Sequence, residues 1–333
     1  MALYPGQVIS VHAQIPMNSA VNSQAPTAGS SVQGSQSSGP VPAQSLIATL
    51  KGPFDPQDAS PLFTTFPPEI RNRIFIFALL SYDDKSRPFP ENAYHYRPGY
   101  HYRQLISTAL LATCRRIYSE THDIPLSLNE HVFWCSASRG PGVRFSENPN
   151  LYFNQMTADQ RKAIVNVHIF AQLFWLEGIF RRACDHINAR RLKITVRHTD
   201  WWWWESNHPL VMKAGWGNNL KAIKDLEELE VELEAIERDK AQLEAIVKTM
   251  NKWQFDLDGG KKLTADGNDI VRDHYLGQGS FGPIATVNDI VYAPNLNKWS
   301  HPPRKRASDV TAIVIPRVPY IVSTLRYTTA KSN

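Results

Sequence analysis

Apolar residues recur with a period of two in four segments of the second half of the chain. The first segment carries Val165, Val167 and Ile169 with a polar residue between each pair. The three later segments are Leu192, Ile194 and Val196; Leu229, Val231 and Leu233; and Trp253, Phe255 and Leu257. Such alternation places the apolar side chains on one face of a β-strand. We therefore predict four short strands.

The gaps between these segments contain apolar residues at helical spacing. Leu173, Leu176 and Phe180 line one such face, and Leu243, Val247 and Met250 line another. Repeated strand–helix units favour stacked parallel strands with helices outside them. The segment 226–233 (Leu-Glu-Glu-Leu-Glu-Val-Glu-Leu) also resembles the strand core of a leucine-rich repeat. We interpret residues 160–266 as an irregular, leucine-rich-repeat-like β/α repeat domain.

A coiled coil is the alternative for the acidic stretch that follows Asp225. Leu226, Leu229, Leu233 and Ile236 fit a and d heptad positions, and Leu243 continues the register after an interruption. Coiled coils usually need three or more uninterrupted heptads, and the strict alternation matches the neighbouring segments. A strand followed by a helix is therefore the favoured interpretation.

The first half of the chain begins its ordered part with a helix start near Pro67. Pro67 and Pro68 suit a first turn, where backbone donors have no partner, and Glu69 suits the positive end of the helix dipole. Ile70 and Ile74 then follow at helical spacing. A second helix is predicted from about Leu105 to Thr121, followed by Pro125.

These two segments resemble the F-box and F-box-like modules of fungal proteins. The resemblance rests on residues 66–74 (Phe-Pro-Pro-Glu-Ile-Arg-Asn-Arg-Ile) and 110–120 (Leu-Leu-Ala-Thr-Cys-Arg-Arg-Ile-Tyr-Ser-Glu). Phe66 stands where the family has leucine, and 82–103 form a long insert. The resemblance implies a module over 61–135 that docks on the linker subunit of cullin-type ubiquitin ligases. The docking residues it implies are Phe66, Pro67, Glu69, Ile70, Ile74, Phe77, Leu111 and Cys114.

Composition adds the two flanking segments and completes the predicted fold. No Asp, Glu, Lys or Arg occurs before Lys51, and the segment is rich in Ser, Gln, Ala, Gly and Pro, so residues 1–60 are predicted to be a disordered tail. Gly, Pro and Asn are frequent over 267–333, where we expect partial order and an edge strand at Ile313–Ile315. The predicted class is α+β, with a helical module before the repeats.

Four consecutive tryptophans, Trp201, Trp202, Trp203 and Trp204, are the main candidate for a target-binding surface. In a strand, two of them would point into the core and two outward. Exposed tryptophans are enriched in binding hot spots, and the position after a predicted strand suits a ligand-presenting loop. Core packing remains the alternative.

Two further motifs have weaker functional interpretations. Residues 277–284 spell the glycine-rich loop of protein kinases, but the remaining chain has no Val-Ala-x-Lys, His-Arg-Asp or Asp-Phe-Gly element. Residues 94–103 repeat Tyr-His-Tyr-Arg across Pro98-Gly99, which could stack on single-stranded nucleic acid. A loop packed across the helical module is the favoured interpretation.

The remaining patterns favour a non-enzymatic protein inside the cell. Cys114, Cys135 and Cys184 match neither a disulfide framework nor a zinc motif, and no nucleophile elbow is present, so we expect no metal, cofactor or catalytic residue. The net charge of +5 over 333 residues is too small to favour nucleic acid, and no apolar run is long enough for a membrane span. A basic cluster at 301–308 leaves cytoplasm and nucleus both open.

The expected function is that of a protein–protein interaction adaptor. In the first hypothesis the module over 61–135 tethers the chain to a ligase linker subunit and the repeat domain binds a protein target. In the second, the chain is a scaffold, and the helical module only caps the open edge of the first repeat.

Overall fold

The computed structural model describes residues 50, 52–91, 93–135, 140–142, 147–206, 208–265, 268–278, 291–293, 298–300 and 317–329. Most of the predicted tail, the basic cluster at 301–308 and the edge strand expected at Ile313–Ile315 lie outside these residues. So does the kinase-like motif beyond Gln278.

The described residues form helices and strands in the following order. The helices are α1 (Pro61–Thr64), α2 (Pro68–Leu79), α3 (Arg115–Thr121), α4 (Ile124–Leu128), α5 (Pro149–Asn154), α6 (Ala158–Ala163), α7 (Leu173–Gly178), α8 (Phe180–Cys184) and α9 (Lys240–Met250). The strands are β1 (Tyr82–Pro88), β2 (Tyr102–Leu105), β3 (Glu130–Cys135), β4 (Asn166–Ala171), β5 (Arg191–Val196), β6 (Glu228–Ile236), β7 (Gln254–Asp256), β8 (Lys262–Thr264), β9 (Val271–Gln278), β10 (Val291–Ala293), β11 (Lys298–Ser300) and β12 (Arg317–Thr329).

A mixed sheet of eight strands is the centre of the fold. Its order is β3-β4-β5-β6-β12-β8-β7, and β9 pairs with the first part of β12. The strands β3 to β6 are parallel, whereas β12 runs antiparallel to β6, β8 and β9. The mixed α+β class is therefore confirmed.

The alternation in the sequence divides the sheet into an apolar face and a polar face. On β6, Leu229, Val231 and Leu233 are fully buried in the main core, which the helices α7, α8 and α9 cover. Glu230 and Glu232 point to the opposite face, in register with Lys193 and Thr195 of β5. Burying one face of each strand fixes its register, because a shift by one residue would place carboxylates in the core.

The predicted strands at Val165, Leu192 and Leu229 are confirmed, and β6 followed by α9 confirms the strand–helix interpretation over the coiled coil. The fourth segment does form β7, but β7 pairs antiparallel with β8 at the far edge of the sheet. The parallel stack thus ends at β6. A solenoid needs each strand to pair with the next one in the chain, and β12 takes that position instead.

Two parts of the predicted helical module are strands. Leu105 pairs with Tyr82 in the β1–β2 hairpin, so the second helix does not begin there; a 3₁₀ turn at Ala109–Ala112 precedes the short helix α3. The interval also ends in β3, which is the edge strand of the main sheet. The prediction of a purely helical module over 61–135 is therefore wrong.

Candidate functional site

Three exposed apolar side chains lie along one stripe of α2, and a fourth, Phe66, lies just before the helix. Phe66, Ile70, Ile74 and Phe77 form the α2 outer face, and Phe77 has 77% of its surface exposed. Within the helix, positions 70, 74 and 77 lie on one stripe because they are separated by four and three residues. Phe75 and Leu79, which lie outside this stripe, are the buried apolar residues of α2.

A cluster of charged and aromatic side chains holds α2 in this orientation. Arg71 is buried; its guanidinium lies 5.3 Å from the ring centre of Phe63 and donates to the Phe66 carbonyl oxygen at 3.1 Å. Arg116 stacks on the other side of the cluster, 4.0 Å from the same ring. Glu120 contacts both guanidinium groups. The α2 outer face therefore belongs to an anchored helix.

The other predicted docking residues have separate places around this helix. Pro67 precedes α2 at its N-cap position, and Glu69 is exposed in the first turn. Leu111 is half-buried in the 3₁₀ turn that lies next to α2. Cys114 is the N-cap of α3, where its Sγ accepts a hydrogen bond from the Ile117 backbone at 3.5 Å.

The four tryptophans are divided between the core and the surface, although they lie in a loop with 3₁₀ turns instead of a strand. Trp201 is buried, and its Nε1 donates to the Glu234 carbonyl oxygen at 2.8 Å. Trp204 packs against the main core. Trp202 and Trp203 are 42% and 64% exposed. The structure thus leaves only this middle pair available as a surface.

Trp202 and Trp203 belong to a row of aromatic rings. The ring centres of Phe174 and Trp202, and then of Trp202 and Trp203, are 6.4 Å apart, and His208 follows at 6.3 Å from Trp203. The Trp202 Nε1 donates to Glu177 Oε2 at 3.1 Å. We call Phe174, Glu177, Trp202, Trp203 and His208 the aromatic row.

The β1–β2 hairpin loop covers the polar face of the sheet. Tyr100 is buried there, and its hydroxyl lies 2.8 Å from His168 Nδ1; His168 Nε2 lies 2.8 Å from Thr195 Oγ1. Thr195 in turn donates to Glu232 Oε1 at 3.2 Å. Residues 94–103 are thus a packed loop, as predicted, but they pack on the sheet and not across the helical module.

Thr195, His168 and Glu232 are the residue types of a catalytic nucleophile, its base and a carboxylate. Their geometry, however, favours a structural role. Thr195 and His168 are buried beneath Tyr100, so a substrate has no path to them. The Thr195 proton is directed to Glu232, and His168 therefore donates to Thr195 instead of accepting its proton. The signal that predicts such a network, polar residues alternating with apolar ones, is the same for any solvated strand face.

Charged side chains next to this network are paired. Arg97 is buried and contacts Glu232 at 2.6 Å and Glu234 at 3.4 Å. Burial alone would raise the pKa of Glu232, but Arg97 and Lys193 hold it well below its usual range. A cavity of about 60 Å³ borders this cluster between the hairpin and β9. Pockets for organic ligands are several times larger, so this volume suits a few water molecules.

The cysteines and other metal-binding residue types give no candidate centre within the described residues. Cys135 and Cys184 are buried, and burial raises the pKa of both thiols well above its ordinary value. Protonated, enclosed thiols are poor nucleophiles and poor metal ligands. No group of three or more His, Cys, Asp or Glu side chains in this part of the chain could hold a metal ion.

Comparison with protein-family models, with curated proteins and with solved structures found no match. Among the described residues, no helix has the length and apolar character needed to cross a lipid bilayer. Within the described residues, the α2 outer face and the aromatic row are exposed apolar surfaces that contain residues predicted for docking or target binding.

Proposed function

We propose that this chain is a protein–protein interaction adaptor that docks a partner on the α2 outer face. The observation that supports this proposal most strongly is the exposure of Ile70, Ile74 and Phe77 along one stripe of an anchored helix. Large apolar residues gathered on one exposed surface are typical of interaction sites, whereas scattered ones need no explanation.

The composition of α2 supports the same proposal. Its apolar residues are distributed around the whole helix: Phe75 and Leu79 face inward, while Ile74, Ile76 and Phe77 do not. A second apolar side on a helix is normally covered by another surface. Here only one side is covered by the rest of the described chain, so a partner would supply the missing contacts.

The resemblance of residues 66–74 and 110–120 to F-box-like modules suggests the linker subunit of cullin-type ubiquitin ligases as this partner. The chain would then be a substrate-recognition subunit. An apolar stripe presented by one helix fits the helix-in-groove mode of recognition, in which residues at i, i+4 and i+7 are the anchors.

Binding of the purified full chain to the purified linker subunit tests this proposal. Replacing Ile74 by Asp places a charge at the centre of the stripe, and we expect affinity to fall at least tenfold, because the charge would lose water on docking. Circular dichroism should still show a folded protein with a cooperative thermal transition, since Ile74 is 40% exposed and is not among the buried residues of α2.

Leu151 provides a matched control for this substitution. It is also a large apolar residue with about half of its surface exposed, but it lies on α5. Leu151→Asp should therefore leave binding unchanged. If Ile74→Asp and Leu151→Asp bind the linker subunit as well as the parent protein does, the α2 outer face is not a docking site.

A non-enzymatic scaffold is the second candidate, because the helical interval is joined to the sheet. Asn129 receives a hydrogen bond from the Ser81 backbone and donates to the Leu79 and Pro125 carbonyl oxygens, and the next residues form β3. In this alternative the interval only covers the edge of β4. Failure of the linker subunit to bind the folded parent protein would support it.

A further inference from the structure

We propose that the aromatic row binds a cationic side chain, arginine above all, presented by a protein partner of this chain. This proposal rests on the adaptor function, because it gives the adaptor a second surface with a chemistry of its own. It does not depend on which protein occupies the α2 outer face.

The location of the aromatic row suits a binding site. α7 and its Phe174 and Glu177 follow β4, while Trp202 and Trp203 follow β5. Both segments therefore leave the sheet at the carboxyl ends of neighbouring parallel strands. In open α/β sheets this edge is where ligands are commonly bound, because loops from adjacent strands meet there.

The exposed pair Trp202 and Trp203 lies between two packed tryptophans. On one side of them Trp201 is fixed in the core by its hydrogen bond to Glu234, and on the other side Trp204 packs edge-on to His198 at 5.9 Å. Trp203 itself has a φ of 56°, a backbone conformation that is unfavourable for a bulky residue. Packed neighbours on both sides limit the conformations of the exposed pair, which lowers the conformational entropy lost when a ligand binds.

The row combines a carboxylate with exposed aromatic ring faces. The Trp202 Nε1 already donates to Glu177, and a carboxylate offers only acceptors. The faces of the indole rings carry the negative part of the aromatic quadrupole. A group with positive charge and several donors complements such a surface, and a guanidinium can stack on indole while its N–H groups reach the carboxylate.

The same charges disfavour a phosphate-bearing ligand. Glu177 lies within the row and exposed Glu205 follows Trp204 directly in the chain, so both carboxylates would repel a nucleic-acid backbone. Base stacking on exposed tryptophans usually requires nearby basic residues to neutralise phosphates. A basic protein segment therefore fits better than single-stranded nucleic acid.

Titration of the full chain with a short Gly/Ser peptide that carries paired arginines tests the proposal. A peptide with citrulline in place of arginine is the matched probe, because it has nearly the same shape and no charge. We expect saturable binding of the arginine peptide by calorimetry and about tenfold weaker binding of the citrulline peptide.

Two substitutions in the row should weaken binding of the arginine peptide. Trp203→Ala is expected to reduce affinity about tenfold, and Glu177→Gln about threefold, since it removes charge while keeping an acceptor for Trp202. Phe77→Ala on the α2 outer face is the control and should leave peptide affinity unchanged. Trp203 is exposed, so its substitution should not affect folding.

Three results would overturn the proposal: no saturable binding of the arginine peptide, equal affinity for the citrulline peptide, or unchanged affinity after Trp203→Ala. Each of them leaves the α2 proposal standing if Ile74→Asp lowers affinity for the linker subunit at least tenfold. The converse pair of results is that Trp203→Ala loses peptide binding while the parent protein does not bind the linker subunit at all. This pair would support the aromatic row and contradict the α2 proposal.

Discussion

At the scale of single residues, Asn129 joins the helices to the sheet. It is buried and makes three hydrogen bonds, to Ser81 N at 2.8 Å and to the carbonyl oxygens of Leu79 and Pro125 at 3.0 Å each. Its side chain thus satisfies backbone groups at the ends of α2 and α4. Substitution at such a position lowers stability, because each buried polar group that loses its hydrogen-bond partner contributes its own desolvation cost.

We expect Asn129→Ala to lower the free energy of unfolding by about 2–4 kcal/mol, because three buried backbone groups lose their partner. Urea denaturation followed by circular dichroism measures this change. Asn72→Ala is the control: Asn72 is exposed on α2, and its substitution should change stability by less than about 0.5 kcal/mol. Equal effects of the two substitutions would contradict this role of Asn129.

Because three histidines are buried, we expect the free energy of unfolding to decrease in mild acid. Burial lowers the pKa of His95, His131 and His198 to about 4, whereas histidine in an unfolded chain titrates near 6.5. The unfolded state therefore binds protons first as the pH falls. Stability is complete above pH 6.5 and is lost between about 6.5 and 4, by about 2 kcal/mol per histidine at pH 5.

Urea denaturation at pH 7, 6 and 5 checks this dependence, in a range where the carboxylates of Asp and Glu remain largely ionised. His131 is the best single test, because it is enclosed and contacts the Tyr152 hydroxyl at 2.7 Å and the Leu126 carbonyl oxygen at 2.9 Å. His131→Gln keeps a polar group at this position but cannot titrate. It should be less stable at pH 7 and should show a shallower loss of stability toward pH 5.

At the scale of elements, α2 allows two substitutions of the same residue type to be compared on one helix. Phe75 is fully buried, while Phe77 is largely exposed. Phe75→Ala should reduce the free energy of unfolding by about 3–5 kcal/mol, and Phe77→Ala by less than about 1 kcal/mol. Thermal or chemical denaturation of the free protein distinguishes them, and a large effect of Phe77→Ala would show that its ring is covered.

The sequence predicts β4, β5 and β6 because each has one apolar and one polar face. Leu229, Val231 and Leu233 alternate with glutamates that are paired on the other face, so the period of two is visible. β3 has no such signal. Val132, Phe133 and Trp134 are buried on both faces, and a continuous apolar run does not distinguish a strand from a helix.

β12 could not be predicted for a different reason. Pro319 counts against a central strand because proline lacks a backbone donor. In the structure β12 pairs with β6 only from Tyr320 onward, and Pro319 lies opposite Leu276 of β9, so no bond to β6 is lost there. The sequence therefore favours an edge strand at Ile313–Ile315, before Pro316, and β12 is defined by its tertiary partners.

The sequence identifies the residues of the candidate surfaces, but it does not show which side of each element is exposed. The apolar stripe of Ile70, Ile74 and Phe77 is visible in the sequence, yet Phe75 and Leu79 are equally apolar, and the pattern does not say which side is buried. The same holds for Trp202 and Trp203. Their exposure depends on the hydrogen bond that holds Trp201 to β6.

At the scale of the whole molecule, the interval 61–135 contributes an essential strand to the sheet. β3 covers the edge of β4, where Val167, Ile169 and Phe170 are buried. Deletion of 61–135 should therefore abolish cooperative thermal unfolding of the remainder. Deletion of 61–79 alone removes α1 and α2 but keeps β3, and should leave a folded, less stable protein. A cooperative transition after the longer deletion would contradict this assignment of β3.

The position of β12 in the chain also determines when the fold can be completed. β12 is the neighbour of β6 in the sheet, yet β7, β8 and β9 are synthesised between them. During translation the backbone groups along one edge of β6 therefore remain unpaired until β12 has been synthesised. Nascent chains that lack β12 should therefore be clients of chaperones, since an open strand edge promotes aggregation.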